Sequence, residues 1–128
     1  MEFDKRSLAR LAQVHPDLRR VIFEAAHAPP LTFKITSGLR TLAEQRELVQ
    51  SGASTTMNSR HLTGHAVDVA ILIGSEVDWT FANYRILADH IKATARAISL
   101  PIEWGGDWKR PVDGPHFQLP WGIYPVTT

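Results

Sequence analysis

A carboxylate set inside a run of apolar residues constrains this chain more than any other feature. Ala66-Val67-Asp68-Val69-Ala70-Ile71-Leu72-Ile73 reads as a buried strand. An unpaired charge there would cost several kcal/mol, on the order of a small domain's whole stability, so other groups must compensate Asp68. Immediately upstream lies Ser59-Arg60-His61-Leu62-Thr63-Gly64-His65. His61 and Asp68 are seven positions apart, and in one continuous strand they would point to opposite faces. They meet only if the chain reverses between them, and Thr63-Gly64 is where a turn is favoured. Neutral imidazole and carboxylate are ordinary zinc ligands, and a catalytic zinc takes three protein groups plus a water.

A third ligand can be sought downstream. In Asp113-Gly114-Pro115-His116-Phe117-Gln118-Leu119 a strong turn signal precedes a short strand-like run that His116 opens. Asp113 lies three before His116 and can converge with it across that turn. A metal and its water beside a carboxylate are the usual equipment for hydrolysing an amide. His65 competes with Asp68 for the ligand set, because it follows His61 by four, the spacing of a helical zinc pair. Gly64 and the strand pattern after it argue against a helix there. The His-Glu-x-x-His zinc helix is absent from the chain.

Composition narrows the choices further. The chain has no cysteine, which excludes disulfides and thiolate zinc sites, so His, Asp or Glu must hold any metal. A net charge of +1 without basic runs gives no argument for nucleic acid. No stretch approaches membrane-spanning length, and Met1-Glu2-Phe3-Asp4-Lys5-Arg6 lacks the apolar core of a signal peptide. Synthesis in the cytoplasm, with exit by another route, is the expectation. At 128 residues the chain fits one domain, 1–128, with no linker or second domain visible.

Taken in order, Ser7 is expected to cap a first helix with Leu8, Leu11 and Ala12 as its stripe. Pro16 opens a second, with Leu18, Val21, Ile22 and Ala25 inward, and Pro29-Pro30 ends it. His15, His27 and His90 read as structural. Leu31 to Thr36 is a strand running into Ser37-Gly38-Leu39-Arg40-Thr41. A helix from Thr41 to Val49 follows, with Leu42, Gln45, Leu48 and Val49 to one side. Arg40 thus stands where strand meets helix, a usual place for a functional side chain. After Gly74-Ser75, a long helix starting at Asp78 or Thr80 carries Phe81, Tyr84, Leu87, Ala88, Ile91, Ala95 and Ile98 on its core face. Pro101 to Trp104 is a short strand, Gly105 to Trp108 a turn, and Trp121 and Tyr124 pack back on the domain. Helices with scattered short strands, lacking regular βαβ alternation, predict an α+β fold with a small antiparallel sheet flanked by helices.

Three blocks, in order, give a specific resemblance. Ser59-x-His61-x-x-Gly64-x-Ala66-x-Asp68 resembles the signature of the zinc peptidases that cleave peptidoglycan stems. That family includes D-alanyl-D-alanine carboxypeptidases, vancomycin-resistance dipeptidases and phage L-alanyl-D-glutamate endopeptidases. Ser37-Gly38-Leu39-Arg40-Thr41 with Gln45 is similar to its upstream block. Trp104-Gly105-Gly106-Asp107-Trp108, leading to Asp113-x-x-His116-Phe117-Gln118, resembles its closing block as phage lysis enzymes carry it. Val14-His15-Pro16-Asp17-Leu18 looks like the N-terminal region of those enzymes.

The resemblance implies a hedgehog/D-Ala-D-Ala peptidase-like fold with one zinc on His61, Asp68 and His116. It implies that Asp113 is the general base, that Arg40 holds the scissile carbonyl oxygen and the oxyanion, and that Ser59 touches substrate. The leading expectation is an L-alanyl-D-glutamate endopeptidase of endolysin type, a monomer acting on bacterial peptidoglycan after a separate holin-type protein opens the membrane. A D-alanyl-D-alanine carboxypeptidase or dipeptidase, which differs in the bond placed over the metal, is the enzymatic alternative. A non-catalytic, zinc-stabilised binding module of hedgehog type is the alternative from another class.

Overall fold

The computed structural model describes residues 1–125. Four helices and five strands follow one another as α1 (Lys5–Leu11), α2 (Pro16–Ala25), β1 (Thr32–Ser37), α3 (Leu42–Gln50), β2 (Ala66–Ile73), β3 (Glu76–Asp78), α4 (Phe81–Ala97), β4 (Glu103–Trp104) and β5 (His116–Gln118). Short 3-10 turns cover Arg60–Thr63 and Gly105–Asp107. The strands form one antiparallel sheet in the order β1-β2-β5-β4, with β3 paired to the upper part of β2. This is the α+β arrangement expected from the sequence. No helix among the described residues is long and apolar enough to cross a membrane.

Strand β2 is the organising element, and its alternation sorts the sheet into two faces. Val67, Val69 and Ile71 point into the main core with Phe33, Ile35 and Phe117 from the neighbouring strands. Leu18, Val21 and Ile22 from α2 and Leu87, Ala88 and Ile91 from α4 cover that face. Each such large side chain contributes roughly 1.5–3 kcal/mol by leaving water. Asp68 falls on the opposite face, between Ala66 and Ala70, whose small side chains leave room for others to converge. The register completes the placement: Asp68 lies opposite Ser37 of β1 on one side and His116 of β5 on the other.

Local chemistry departs from expectation in a few places. Asp4, not Ser7, caps α1, its Oδ1 accepting from the Ser7 N–H at 2.8 Å. Ser7 is buried inside the helix, where its Oγ accepts from the Ile35 N–H at 3.0 Å and ties α1 to β1. Leu8 is exposed, because a seven-residue helix lying over one strand has only a narrow covered stripe. On α3, which starts where the sequence places it, a capping box joins Thr41 and Glu44, yet Leu42 faces solvent and Gln45 is the buried residue. Phe81 is more exposed than its place in the α4 stripe implied, one part of its ring stacking on Trp104 and the rest left to solvent. His15 caps α2 by accepting from the Asp17 N–H at 3.1 Å, and His90 contacts the Ala25 carbonyl at 2.8 Å, both structural roles.

Candidate active site

Two turns bring distant residues to Asp68. Gly64, at φ +74°, ends the Arg60–Thr63 turn in the left-handed conformation that side chains resist, and so reverses the chain between His61 and Asp68. Ser59 starts that turn, its Oγ accepting from the His61 N–H at 3.2 Å. The second turn is closed by Gly105, whose carbonyl accepts from the Asp113 N–H at 3.0 Å. A Cβ at Gly105 would collide with the Asp113 carbonyl, so only glycine lets the two segments approach this closely. The Asp113 carbonyl then accepts from the His116 N–H at 3.2 Å, which fixes the spacing of the two side chains across the turn.

His61, Asp68 and His116 come together with ligand atoms all within 4.8 Å of one another. His61 Nε2 lies 3.2 Å and His116 Nδ1 3.1 Å from the same oxygen, Asp68 Oδ1. The outer ring nitrogens decide what those contacts mean. His61 Nδ1 is 2.7 Å from the Gly38 carbonyl, which can only accept, so that nitrogen carries a proton. His116 Nε2 is 2.7 Å from Gln118 Oε1. The amide of Gln118 is oriented by its own Nε2, which donates to Glu103 Oε2 at 3.0 Å, so Oε1 is the acceptor and His116 Nε2 is the donor. Each imidazole, when neutral, therefore turns a lone pair toward the same carboxylate oxygen. Three electron-pair donors facing one point are stabilised by a shared cation, and the outer hydrogen bonds are those that orient metal-binding histidines. Two nitrogens and one oxygen suit a borderline ion such as zinc.

The second oxygen of Asp68 is held differently. Arg40 Nη2 donates to Asp68 Oδ2 at 2.9 Å, Nε to Ser37 Oγ at 3.1 Å and Nη1 to Gln45 Oε1 at 3.2 Å. The planar fork is thus fixed on three sides. Gln45 is itself locked, donating to Ser54 Oγ at 2.9 Å and the Thr56 carbonyl at 2.7 Å. Guanidinium has five N–H groups, so two remain to donate elsewhere. Burial pushes the Asp68 carboxyl up, but when the His116 and His61 imidazoles carry a second proton their hydrogen bonds and charge outweigh it and hold the group far below the usual carboxylate range. The compensation that the sequence required of Asp68 is supplied by Arg40 from the loop after β1, His61 from the 3-10 turn and His116 from β5.

Asp113, half-buried, lines the same cleft of about 610 Å³ as Arg40, Ser59 and the three side chains that could hold a metal. Burial and the nearby negative charge of Asp68 push its carboxyl above the ordinary value. Burial disfavours the charged form of His116, but Asp68 overrides it and raises that imidazole. His65 lies apart: its Nδ1 contacts Thr63 Oγ1 at 2.7 Å, and its ring neighbours His15 and Tyr124.

Three further residues have roles that the sequence does not assign. Gln118 and Glu103 orient His116, and strand alternation places Gln118 on the same face as His116, which is the signal that would have found it. Arg60 is buried and clamps the C-terminal segment through the carbonyls of Leu119, Pro120 and Tyr124, with the Trp121 ring 4.2 Å away. Nothing local in the sequence distinguishes it from a surface arginine.

The chain is similar to known proteins along most of its length. The family model described as phage L-alanyl-D-glutamate peptidase matches residues 1–119. An L-alanyl-D-glutamate peptidase of Listeria phage A118 is 36% identical over 126 residues, which cover 96% of this chain and 44% of that protein. The L-alanyl-D-glutamate peptidase of Escherichia phage T5 is 28% identical, with 96% and 92% covered. The crystal structure of the Serratia marcescens L-Ala D-Glu endopeptidase ChiX superposes with a TM-score of 0.89 at 44% identity, covering 98% of this chain and 95% of that one. The chain spans less than half of the Listeria phage protein and nearly all of the other two.

Proposed function

Because the chain belongs to the phage L-alanyl-D-glutamate peptidase family, we propose that it hydrolyses the L-alanyl-D-glutamate bond of the peptidoglycan stem, using one zinc ion held by His61, Asp68 and His116. The observation that carries this reading is the pair of tautomer-fixed imidazoles aimed at one carboxylate oxygen inside a cleft. Zinc bound there supplies a Lewis acid that polarises the scissile carbonyl and acidifies water.

The chain's own groups do the rest. Asp113 accepts a proton from the attacking water and delivers it to the amide nitrogen as the amine departs. Its raised carboxyl makes it a better proton acceptor than an ordinary aspartate. Arg40 directs its two free N–H groups at the oxygen on which negative charge develops, and one preorganised donor of this kind is worth about 3 kcal/mol. Its partners Ser37, Gln45 and Asp68 hold the fork before substrate arrives. Ser59 keeps its O–H free to donate to the stem peptide, since its oxygen serves the turn only as an acceptor. A role in host lysis is the broader part of the proposal, supported by the phage origin of two relatives.

Digestion of purified peptidoglycan, with mass spectrometry of the fragments, tests this reading. New D-glutamate amino termini paired with L-alanine left on the amino sugar are expected, lost on chelation and restored by zinc. Release of D-alanine alone would make the protein a carboxypeptidase. Absence of any product from folded, zinc-loaded protein would contradict hydrolysis.

A further inference from the structure

We propose that Trp79 is a sugar-stacking platform, whose exposed indole face takes a pyranose ring of the glycan strand that carries the scissile peptide. The proposal rests on the peptidoglycan reading above and adds a subsite to it. Trp79 is 63% exposed, although burying an indole would be strongly favourable. An exposed tryptophan gains meaning from where it is and how firmly it is held.

It is held firmly. The Trp79 ring lies parallel to that of Tyr84, at 5° and 6.0 Å between centroids. Tyr84 is buried, and its hydroxyl donates to the Asp78 carbonyl at 2.8 Å while accepting from the Ile71 N–H at 3.1 Å. On the other side of Trp79, Thr80 donates to the Asp78 carboxylate through its N–H at 3.2 Å and its hydroxyl at 3.0 Å. Asn83 adds a third donor to that carboxylate at 2.8 Å. The segment is therefore cross-linked on both sides of the indole, so little ordering cost remains when a ligand stacks on it.

Its position follows from the sheet. Ile71 and Leu72 pair with β1 on one side and β3 on the other, so β3 shares with β5 the edge of β2 away from β1. Asp78 pairs with Ile71, three residues from Asp68 and roughly 10 Å along the strand. Because β3 runs antiparallel to β2, the chain leaves Asp78 in the direction of Asp68, and Trp79 lines the same cleft as Asp68, Asp113 and His116.

The substrate's chemistry selects the occupant. In a peptidoglycan stem the L-alanine is joined directly to the lactyl group of an amino sugar, so the bond to D-glutamate lies one residue from that sugar. A residue plus the lactyl link spans on the order of 7 Å, so a cleft that seats this bond also meets the pyranose. The stem's own side chains are aliphatic or charged. The pyranose is the component that presents a flat array of C–H groups, which suits the electron-rich face of an indole.

Two substrates with one stem peptide, with and without the attached disaccharide, provide the test. Trp79→Ala should lower kcat/KM on the glycan-linked substrate about tenfold more than on the sugar-free one, mainly through KM. Trp79→Phe should recover most of that difference. Equal losses on both substrates would make Trp79 merely structural, and no loss on either would remove the platform. A binding arm separates this proposal from the peptidase reading: the indole N–H resonance missing in W79F is followed in the wild-type protein with a peptide-free disaccharide of the glycan. A saturating shift supports the platform, and an unmoved resonance overturns it. Wild-type protein that cuts neither substrate contradicts the peptidase reading, and the resonance alone then decides the platform.

Discussion

Gln118 stands between His116 and Glu103, with its Oε1 2.7 Å from His116 Nε2 and its Nε2 donating to Glu103 Oε2 at 3.0 Å. A carboxylate at the sheet edge thereby sets the tautomer of an imidazole at the cleft. Replacing Gln118 by Leu keeps the volume but leaves His116 free to turn. Metal affinity, measured by competition with a chromophoric chelator, should fall about 10- to 100-fold while the fold persists. Gln118→Glu, which still accepts from His116, should lose less. Unchanged affinity in Gln118→Leu would show that His116 needs no such support.

Arg40 is held by Ser37, Gln45 and Asp68 together, a geometry that a single ammonium cannot reproduce. Arg40→Ala should lower kcat by about 10²- to 10³-fold with metal retained. Arg40→Lys should remain nearly as impaired, because charge alone does not place the donors. Wild-type turnover in the lysine variant would reduce the role of Arg40 to general electrostatics.

His65 and Asp68 competed in the sequence for one ligand position, and the structure groups Asp68 with the two histidines. Asp68→Ala should abolish stoichiometric metal binding, and His65→Ala should leave it intact. Calorimetric titration of both variants with zinc checks this. The reverse pattern would contradict the ligand set.

Much of this arrangement was legible because the physical costs were local. Asp68 stood out because a carboxylate in an apolar strand needs partners, and Gly64 because a reversal was required between it and His61. Strand β3 was missed, since Glu76-Val77-Asp78 is short and exposed and carries no alternation long enough to register. Ser7 was misplaced because a serine near a helix start resembles a cap, whereas its actual partner is in β1, 28 residues away. Glu103 and Arg60 were illegible for the same reason: their partners lie in segments far along the chain, and only the folded sheet reveals them.

The C-terminal segment carries a pH-dependent tie. Tyr124 Oη donates to Asp17 Oδ2 at 2.7 Å, and burial together with Asp17 pushes the phenol up to about 12. A tyrosine pKa raised on folding means that the folded state holds the proton more tightly. This contribution is fully present below about pH 10 and is lost as pH rises through about 12. The urea-midpoint gap between wild type and Tyr124→Phe should be constant near neutrality and shrink over that window. A gap that widened with alkali would reverse the assignment.

The central claim divides labour between three residues that hold a metal and a fourth, Asp113, that moves a proton. Measuring bound zinc and peptidoglycan hydrolysis on the same sample of Asp113→Ala tests that division most directly. One equivalent of zinc in a folded protein, with hydrolysis lost by orders of magnitude, is the expected result. Full activity in that variant would remove Asp113 as the base, and loss of zinc would place it among the ligands instead.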